Sequence, residues 1–209
     1  MNAETHNMLN HKNTTKNQQA KLESLYKDYE QCSRCPLAQQ GRKHIVFGQG
    51  NPQASLMFIG EAPGRDEDIH GIPFIGRAGQ LLTKIIQAMN LTREQVYISN
   101  VVKCRPPNNR TPLPDERETC KKMLFAEIDI IQPKVICLLG ATATQALLGN
   151  DMKISPTRGA FFTFRTILTM PTYHPAYLLR NPQAKKIVWE DMKKIMNVLG
   201  LSLPVKSGN

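Results

Sequence analysis

Short apolar runs, each followed by a Gly- or Pro-rich loop and then an amphipathic helix, recur along this chain, and that alternation decides the fold. Residues 56–59 read as a buried strand and lead through a long loop, 60–76, into a helix over 78–89. Leu81, Leu82, Ile85, Ile86 and Met89 share one face of that helix. The strand over 96–102, ending near Asn100, leads through a loop at 104–114 to a helix running to about Ile131. Asp115 and Glu116 suit its positive first turn. A strand at 134–139 turns at Gly140 into a helix over 141–148. One or two strands in 161–170, a loop at 172–182 and a closing helix over 185–199 complete the pattern. A further strand is expected at 45–48. Strands alternating with helices predict an α/β fold, a three-layer α/β/α sandwich around a central, mainly parallel four-stranded sheet.

At 209 residues the chain can bury one full core. Residues 1–19 are polar and poor in apolar side chains, which predicts a disordered leader. A short helix carrying Leu22, Leu25, Tyr26 and Tyr29 is expected to follow. The single domain should span 20–201, and 202–209 should be a flexible tail. No apolar run reaches the length of a membrane span, and no apolar segment near Met1 resembles a secretory signal. A cytoplasmic monomer away from membranes is therefore expected. The net charge of +10 favours a polyanionic partner, and its spread along the chain means the fold must assemble any footprint.

Five cysteines in a chain without an export signal argue against a disulfide framework. Cys32 and Cys35 form a CxxC pair, and Cys104 and Cys120 bracket the Pro-rich loop. Four such thiolates could close on one zinc ion or one iron-sulfur cluster, and spacing alone leaves both open. Ordinary thiols at Cys104 and Cys120 are the plain alternative. Cys137 lies in an apolar strand and reads as core.

The loops after the strands carry the residues with chemistry. Gly60-Glu61-Ala62-Pro63-Gly64 places a carboxylate in a tight turn at a strand end, where open α/β sheets bind ligands. Glu61 and Glu67 could orient water or stabilise a cation. Phe74, in a Gly/Pro loop, could stack on a flat ligand or simply plug the core. Asn100 could read a base edge, since its amide both donates and accepts, or cap a turn. His174-Pro175 fixes an imidazole at the end of the last strand. Tyr177, Leu178, Leu179 and Arg180 could wedge into a base stack while holding phosphate, or form a helix turn packed on the core.

Together these residues resemble the family 4, iron-sulfur, uracil-DNA glycosylases. The likeness covers the chain from about Leu22 to the last helix. It rests on Gly60-Glu61-Ala62-Pro63-Gly64 with Glu67 and Asp68, and on Phe74-Ile75-Gly76-Arg77-Ala78-Gly79-Gln80-Leu81-Leu82. Asn100-Val101-Val102-Lys103-Cys104-Arg105-Pro106-Pro107 and His174-Pro175 complete it. The resemblance implies a 4Fe-4S cluster on Cys32, Cys35, Cys104 and Cys120. It implies an enzyme of base excision repair that flips deoxyuridine out of single- or double-stranded DNA, releases uracil and leaves an abasic site. Gly60, Glu61 and Ala62 would line the pocket, Phe74 would stack on uracil and Asn100 would read its edge. His174 would donate to the uracil O2, and Glu67 or Glu61 would place water or stabilise the sugar cation. Arg110, Tyr177, Leu178 and Arg180 would touch DNA. A glycosylase for another damaged base, or a non-catalytic metal-containing DNA-binding module, is the rival. Ala62 offers no carboxylate at its position, and Ala176 stands where the family commonly has Ser.

Overall fold

The computed structural model describes residues 3–204, with side chains from Thr15 onward. Six strands make one sheet: β1 (Gln49–Gly50), β2 (Leu56–Gly60), β3 (Tyr97–Asn100), β4 (Val135–Leu139), β5 (Phe162–Phe164) and β6 (Ile167–Thr172), in the order β1-β3-β2-β4-β6-β5. The inner four run parallel, and β1 and β5 add antiparallel at the edges. The expected four-stranded sheet is thus its parallel centre. β5 and β6 fall where one or two strands were expected in 161–170, whereas β1, of two residues, is too short to show a period in sequence.

Every residue of β2 and of β4 is buried, as in a parallel sheet covered on both faces. Alternation divides them between two layers. Phe58 and Cys137 pack with Leu82 and Ile86 of α3 (Arg77–Ala88) and with Met192 and Ile195 of α8 (Ala184–Val198). Met57, Ile59, Ile136 and Leu138 pack with Leu124 and Ile128 of α4 (Pro114–Ile131) and Ala143 of α5 (Ala141–Leu148). The sandwich therefore has the three expected layers. No helix among the described residues is long and apolar enough to cross a membrane.

Three departures from the sequence reading have local causes. First, α1 is one helix over Ala3–Tyr29 and takes in the polar segment expected to be disordered. Gln18 Nε2 donates to the Ile130 carbonyl at 2.9 Å, and the Thr15 hydroxyl bonds Gln53, so polar anchors and not an apolar stripe dock this part. Met1, Asn2 and residues 205–209 of the leader and tail lie outside the described residues. Second, 45–48 is not a strand. Val46 N–H donates to the Lys103 carbonyl at 2.8 Å and Gly48 N–H to Glu127 Oε1 at 3.1 Å, so ladder pairing begins only at Gln49. Third, two loops hold short helices, α2 (Arg65–His70) and α7 (Pro175–Arg180). Six residues show no clear helical period, and both are set by their caps. Another one-turn helix, α6 (Ile154–Thr157), precedes β5.

The chain enters the sheet centre at β2, crosses to β3 on one side and returns over β2 to β4 on the other. That reversal is a topological switch point, and it opens a crevice beyond the strand ends. Register aligns those ends: Gly60 pairs with Asn100, and Leu139 with Thr172.

Candidate active site

A cavity of about 370 Å³ occupies this crevice. Glu61, Ala62, Gly64 and Glu67 line it from the β2 side, Phe74, Gly76 and Arg77 from the α3 side, and Asn100, Arg110 and His174 from the remaining loops. The fold therefore brings together the strand-end residues singled out in the sequence.

Gly60 is the point of closest approach. A Cβ there would stand 2.4 Å from Phe74 Cζ and 2.5 Å from Asn100 Oδ1, so only glycine lets the ring and the amide meet. Asn100 is 1% exposed, and its Oδ1 is buried without a hydrogen-bond partner. A buried acceptor in this state is costly unless a ligand brings it a donor.

Phe74 has φ 54°, a left-handed conformation that is uncommon for a bulky residue and concentrates at functional sites. Three features hold it there. Arg93 Nη1 donates to the Phe74 carbonyl at 2.9 Å and Nη2 to the Pro73 carbonyl at 2.7 Å. Gly79 leaves room for the Phe74 backbone, which a Cβ would meet at 1.9 Å. Glu67 Oε1 accepts the N–H groups of Ile75 at 2.9 Å and Gly76 at 2.8 Å.

The other oxygen of Glu67 accepts Gly64 N–H at 3.1 Å. Three backbone donors thus engage this buried carboxylate, and it braces the Gly64 turn against the Phe74 loop. Glu67 thus lines the cavity, as expected, and at the same time holds the two loops in place. Glu61 differs: one oxygen accepts the Thr142 hydroxyl from the start of α5, and its side chain is only partly buried on the cavity wall.

His174 is the N-cap of α7, and its Nδ1 accepts Ala176 N–H at 3.1 Å. A neutral imidazole with Nδ1 accepting carries its proton on Nε2, ready to donate. Burial, helped by the charge of Arg180, pushes the ring down to about 4, so it is neutral at physiological pH. Its centroid lies 5.6 Å from that of Phe74. Gly140, at φ 91°, makes room for it, since a Cβ would come 3.1 Å from His174 Cβ.

One expected outer contact needs correction. Leu178 is 1% exposed and belongs to the core, because α7 turns that face inward. Tyr177 and Leu179, at 37% and 38% exposure, are the apolar side chains α7 offers outward. Arg110 is drawn onto the buried carboxylate of Glu116, with Nη1 and Nη2 at 2.8 and 2.7 Å from its two oxygens, so its charge is already paired. Arg65 and Arg77, at the first turns of α2 and α3, also line the cavity and were not singled out in the sequence. Arg93 was missed as well. Arg77 entered only as one position of the Phe74–Leu82 run, and Arg65 and Arg93 carry no motif of their own.

A second hollow is lined by Cys32, Cys35, Cys104 and Cys120, with Tyr29, Ile45 and Met123 around them. Burial pushes the thiols of Cys35 and Cys104 up, and that of Cys120 up to about 12. Arg42 Nη1 donates to Cys104 Sγ at 3.0 Å, and Lys103 N–H to Cys120 Sγ at 3.3 Å. The backbone N–H groups of Leu37 and Ala38 serve Cys35 in the same way. Sulfurs met by N–H donors suit thiolates better than thiols. Among the described residues, no three His, Cys, Asp or Glu side chains are grouped to hold a single metal ion. Four cysteines around one hollow are a donor set that suits a zinc ion or an iron-sulfur cluster.

Residues 47–193 match the family model described as the uracil DNA glycosylase superfamily. The chain is 45% identical over 183 residues to the type-4 uracil-DNA glycosylase of Sulfurisphaera tokodaii, covering 83% of each chain. It is 45% identical over 177 residues to that of Thermotoga maritima, covering 83% of this chain and 92% of the relative. With the type-4 enzyme of Saccharolobus solfataricus it shares 44% over 197 residues, 90% of each.

Proposed function

Because the chain belongs to the uracil DNA glycosylase superfamily, we infer that its cavity receives a uracil flipped out of DNA. The enzyme is a uracil-DNA glycosylase, a hydrolase that breaks the bond between uracil and deoxyribose. The observation that carries the site assignment is the orphaned Oδ1 of Asn100. Uracil presents an N3–H donor to it, whereas cytosine presents a lone pair at N3 and is repelled.

The residues act in a definite order on that base. Phe74, clamped by Arg93 and Glu67, stacks on the ring and sets its plane. Asn100 accepts from N3–H. His174, neutral, donates Nε2–H to the uracil O2. As C1′–N1 breaks, its electron pair passes to the base, and the charge gathers on O2 where His174 waits. A neutral donor is sufficient, and it leaves no strong cation to compete with the sugar cation. Water then adds to C1′ and loses a proton, giving free uracil and an abasic site. Glu61, on the cavity wall, is the carboxylate placed to orient that water or steady the cation, since Glu67 is engaged as a brace. Arg65, Arg77 and Arg180 supply phosphate contacts, and Tyr177 and Leu179 fill the gap left by the flipped nucleotide.

Cys32, Cys35, Cys104 and Cys120 would hold a 4Fe-4S cluster. Bound there, it would tie the segment after α1 to the loop before α4 and so stiffen the cavity wall.

The test is cleavage of an oligonucleotide carrying one uracil, read after alkali, for wild type and His174→Ala. Cleavage by wild type with a loss on the order of 10²-fold or more in the variant supports the assignment. No cleavage by iron-loaded wild type, on single- or double-stranded substrate, overturns it and turns attention to other damaged bases.

A further inference from the structure

Behind the cavity wall lies a buried polar network that the reaction as derived leaves unused. Lys103 is 1% exposed and Glu127 is fully buried, and Nζ stands 2.6 Å from Glu127 Oε2. The same Nζ donates to the Ser99 hydroxyl and to the main-chain carbonyl of Asn100, the latter at 2.9 Å. Ser99 Oγ donates to Glu127 Oε2 at 2.6 Å. Glu127 Oε1 accepts Gly48 N–H at 3.1 Å and the Tyr26 hydroxyl at 3.3 Å. An ion pair buried this deeply rarely outperforms apolar residues of equal volume for stability. Its position invites a different role.

Asn100 is the last residue of β3, and the next amide, Val101 N–H, already bonds back to Gly60 at 2.9 Å. The Asn100 carbonyl is held by an ammonium instead of a neighbouring strand. The plane of that peptide sets the direction of the Asn100 side chain, whose Oδ1 has no partner of its own to hold it. Lys103 is anchored at both ends: Glu127 grips Nζ, while its own N–H donates to Cys120 Sγ at 3.3 Å.

We propose that Lys103, gripped by Glu127, is a positioning residue for Asn100: it fixes the end of β3 and thereby aims the amide that recognises the base. This rests on the uracil reading above. Lys103 touches no substrate, so its effect passes wholly through Asn100.

The test is a double-mutant cycle on uracil cleavage. Wild type is assayed first, and its failure to cleave overturns the glycosylase reading itself. With wild type active, Lys103→Met combined with Glu127→Gln replaces the ion pair by a neutral pair of similar volume. The expected fall in kcat/KM is on the order of tenfold. Affinity for the abasic product duplex, which lacks the base Asn100 reads, should stay at the wild-type value. In an Asn100→Ala background the same substitutions should cost nothing further. An equal loss in both backgrounds, or a parallel loss of product affinity, overturns the proposal. Ser99→Ala removes only a hydroxyl from the network, and it runs the same cycle under the same criterion if the paired variant does not fold.

Discussion

Gly79→Ala should disable the enzyme by pushing the Phe74 loop off α3. In the interior of an ordinary helix this change gains about 1 kcal/mol. Here a Cβ would stand 1.9 Å from both the carbonyl carbon and oxygen of Phe74, and 2.6 Å from its Cα. Ordinary contact begins at 3.4 Å, so α3 and the Phe74 loop must part by about 1.5 Å. The obstacle is backbone and cannot rotate away as a side chain would. Phe74 is already held at φ 54°, with its carbonyl fixed by Arg93, so the displacement moves the stacking ring itself. A misplacement of about 1 Å can cost on the order of 10²-fold in rate. Single-turnover cleavage of a uracil oligonucleotide should therefore show kcat/KM down by about 10²-fold. An overlap with backbone is not relieved cheaply, so the melting temperature should also fall, by at least about 2–4 °C, which is what about 1 kcal/mol is worth in a chain of this length. Activity within about threefold of wild type would refute the claim that glycine at 79 is what permits the stack.

His174 also predicts a pH signature. Its folded value near 4 lies below the 6.5 of a free imidazole, so between those values the unfolded chain binds more protons. Stability should be intact above about pH 6.5 and fall by roughly 3 kcal/mol as pH drops to 4; urea melts of His174→Gln should lack that component, and an unchanged slope would sink it. Glu67→Gln turns one acceptor into a donor against the backbone N–H groups of Gly64, Ile75 and Gly76. It should cost about 1–3 kcal/mol of stability, seen in thermal melts, and lower kcat/KM alongside. For the proposed cluster, Cys104→Ser should lower the iron that co-purifies with the protein in a colorimetric assay and expose 32–42 to protease, whereas iron content equal to wild type would count against Cys104 as a ligand.

Much of the site was legible because its residues follow strand ends marked by Gly and Pro. Glu61, Phe74, Asn100 and His174 do line one cavity. Less visible was how each is held. The bracing role of Glu67 depends on the N–H groups of Ile75 and Gly76, eight and nine residues away, which no local pattern announces. The clamp by Arg93 lies beyond α3. Of the two readings open for Tyr177–Arg180, a wedge into DNA or a helix turn packed on the core, Leu178 follows the second, because the geometry of α7 turns that side chain inward. In the fold, the parallel centre followed from the alternation of apolar runs and helices. The edge strand β1 and the N-terminal half of α1 did not, since ladder bonds and polar anchors specify them.

The pairing of Gly60 with Asn100 makes the β-ladder a ruler for chemical selectivity. Side chains alternate faces along a strand, so a slip of one step between β3 and β2 would swing the Asn100 amide to the opposite face. On the proposed reading, the choice of uracil over cytosine is thus set as much in the buried foot of β3 as at its tip. Tyr97, at that foot, pairs with Met57 of β2 and meets the hydroxyl of Tyr26 on α1. Inserting a single residue below Asn100 should therefore turn the amide away from the cavity even where the core accommodates the extra residue.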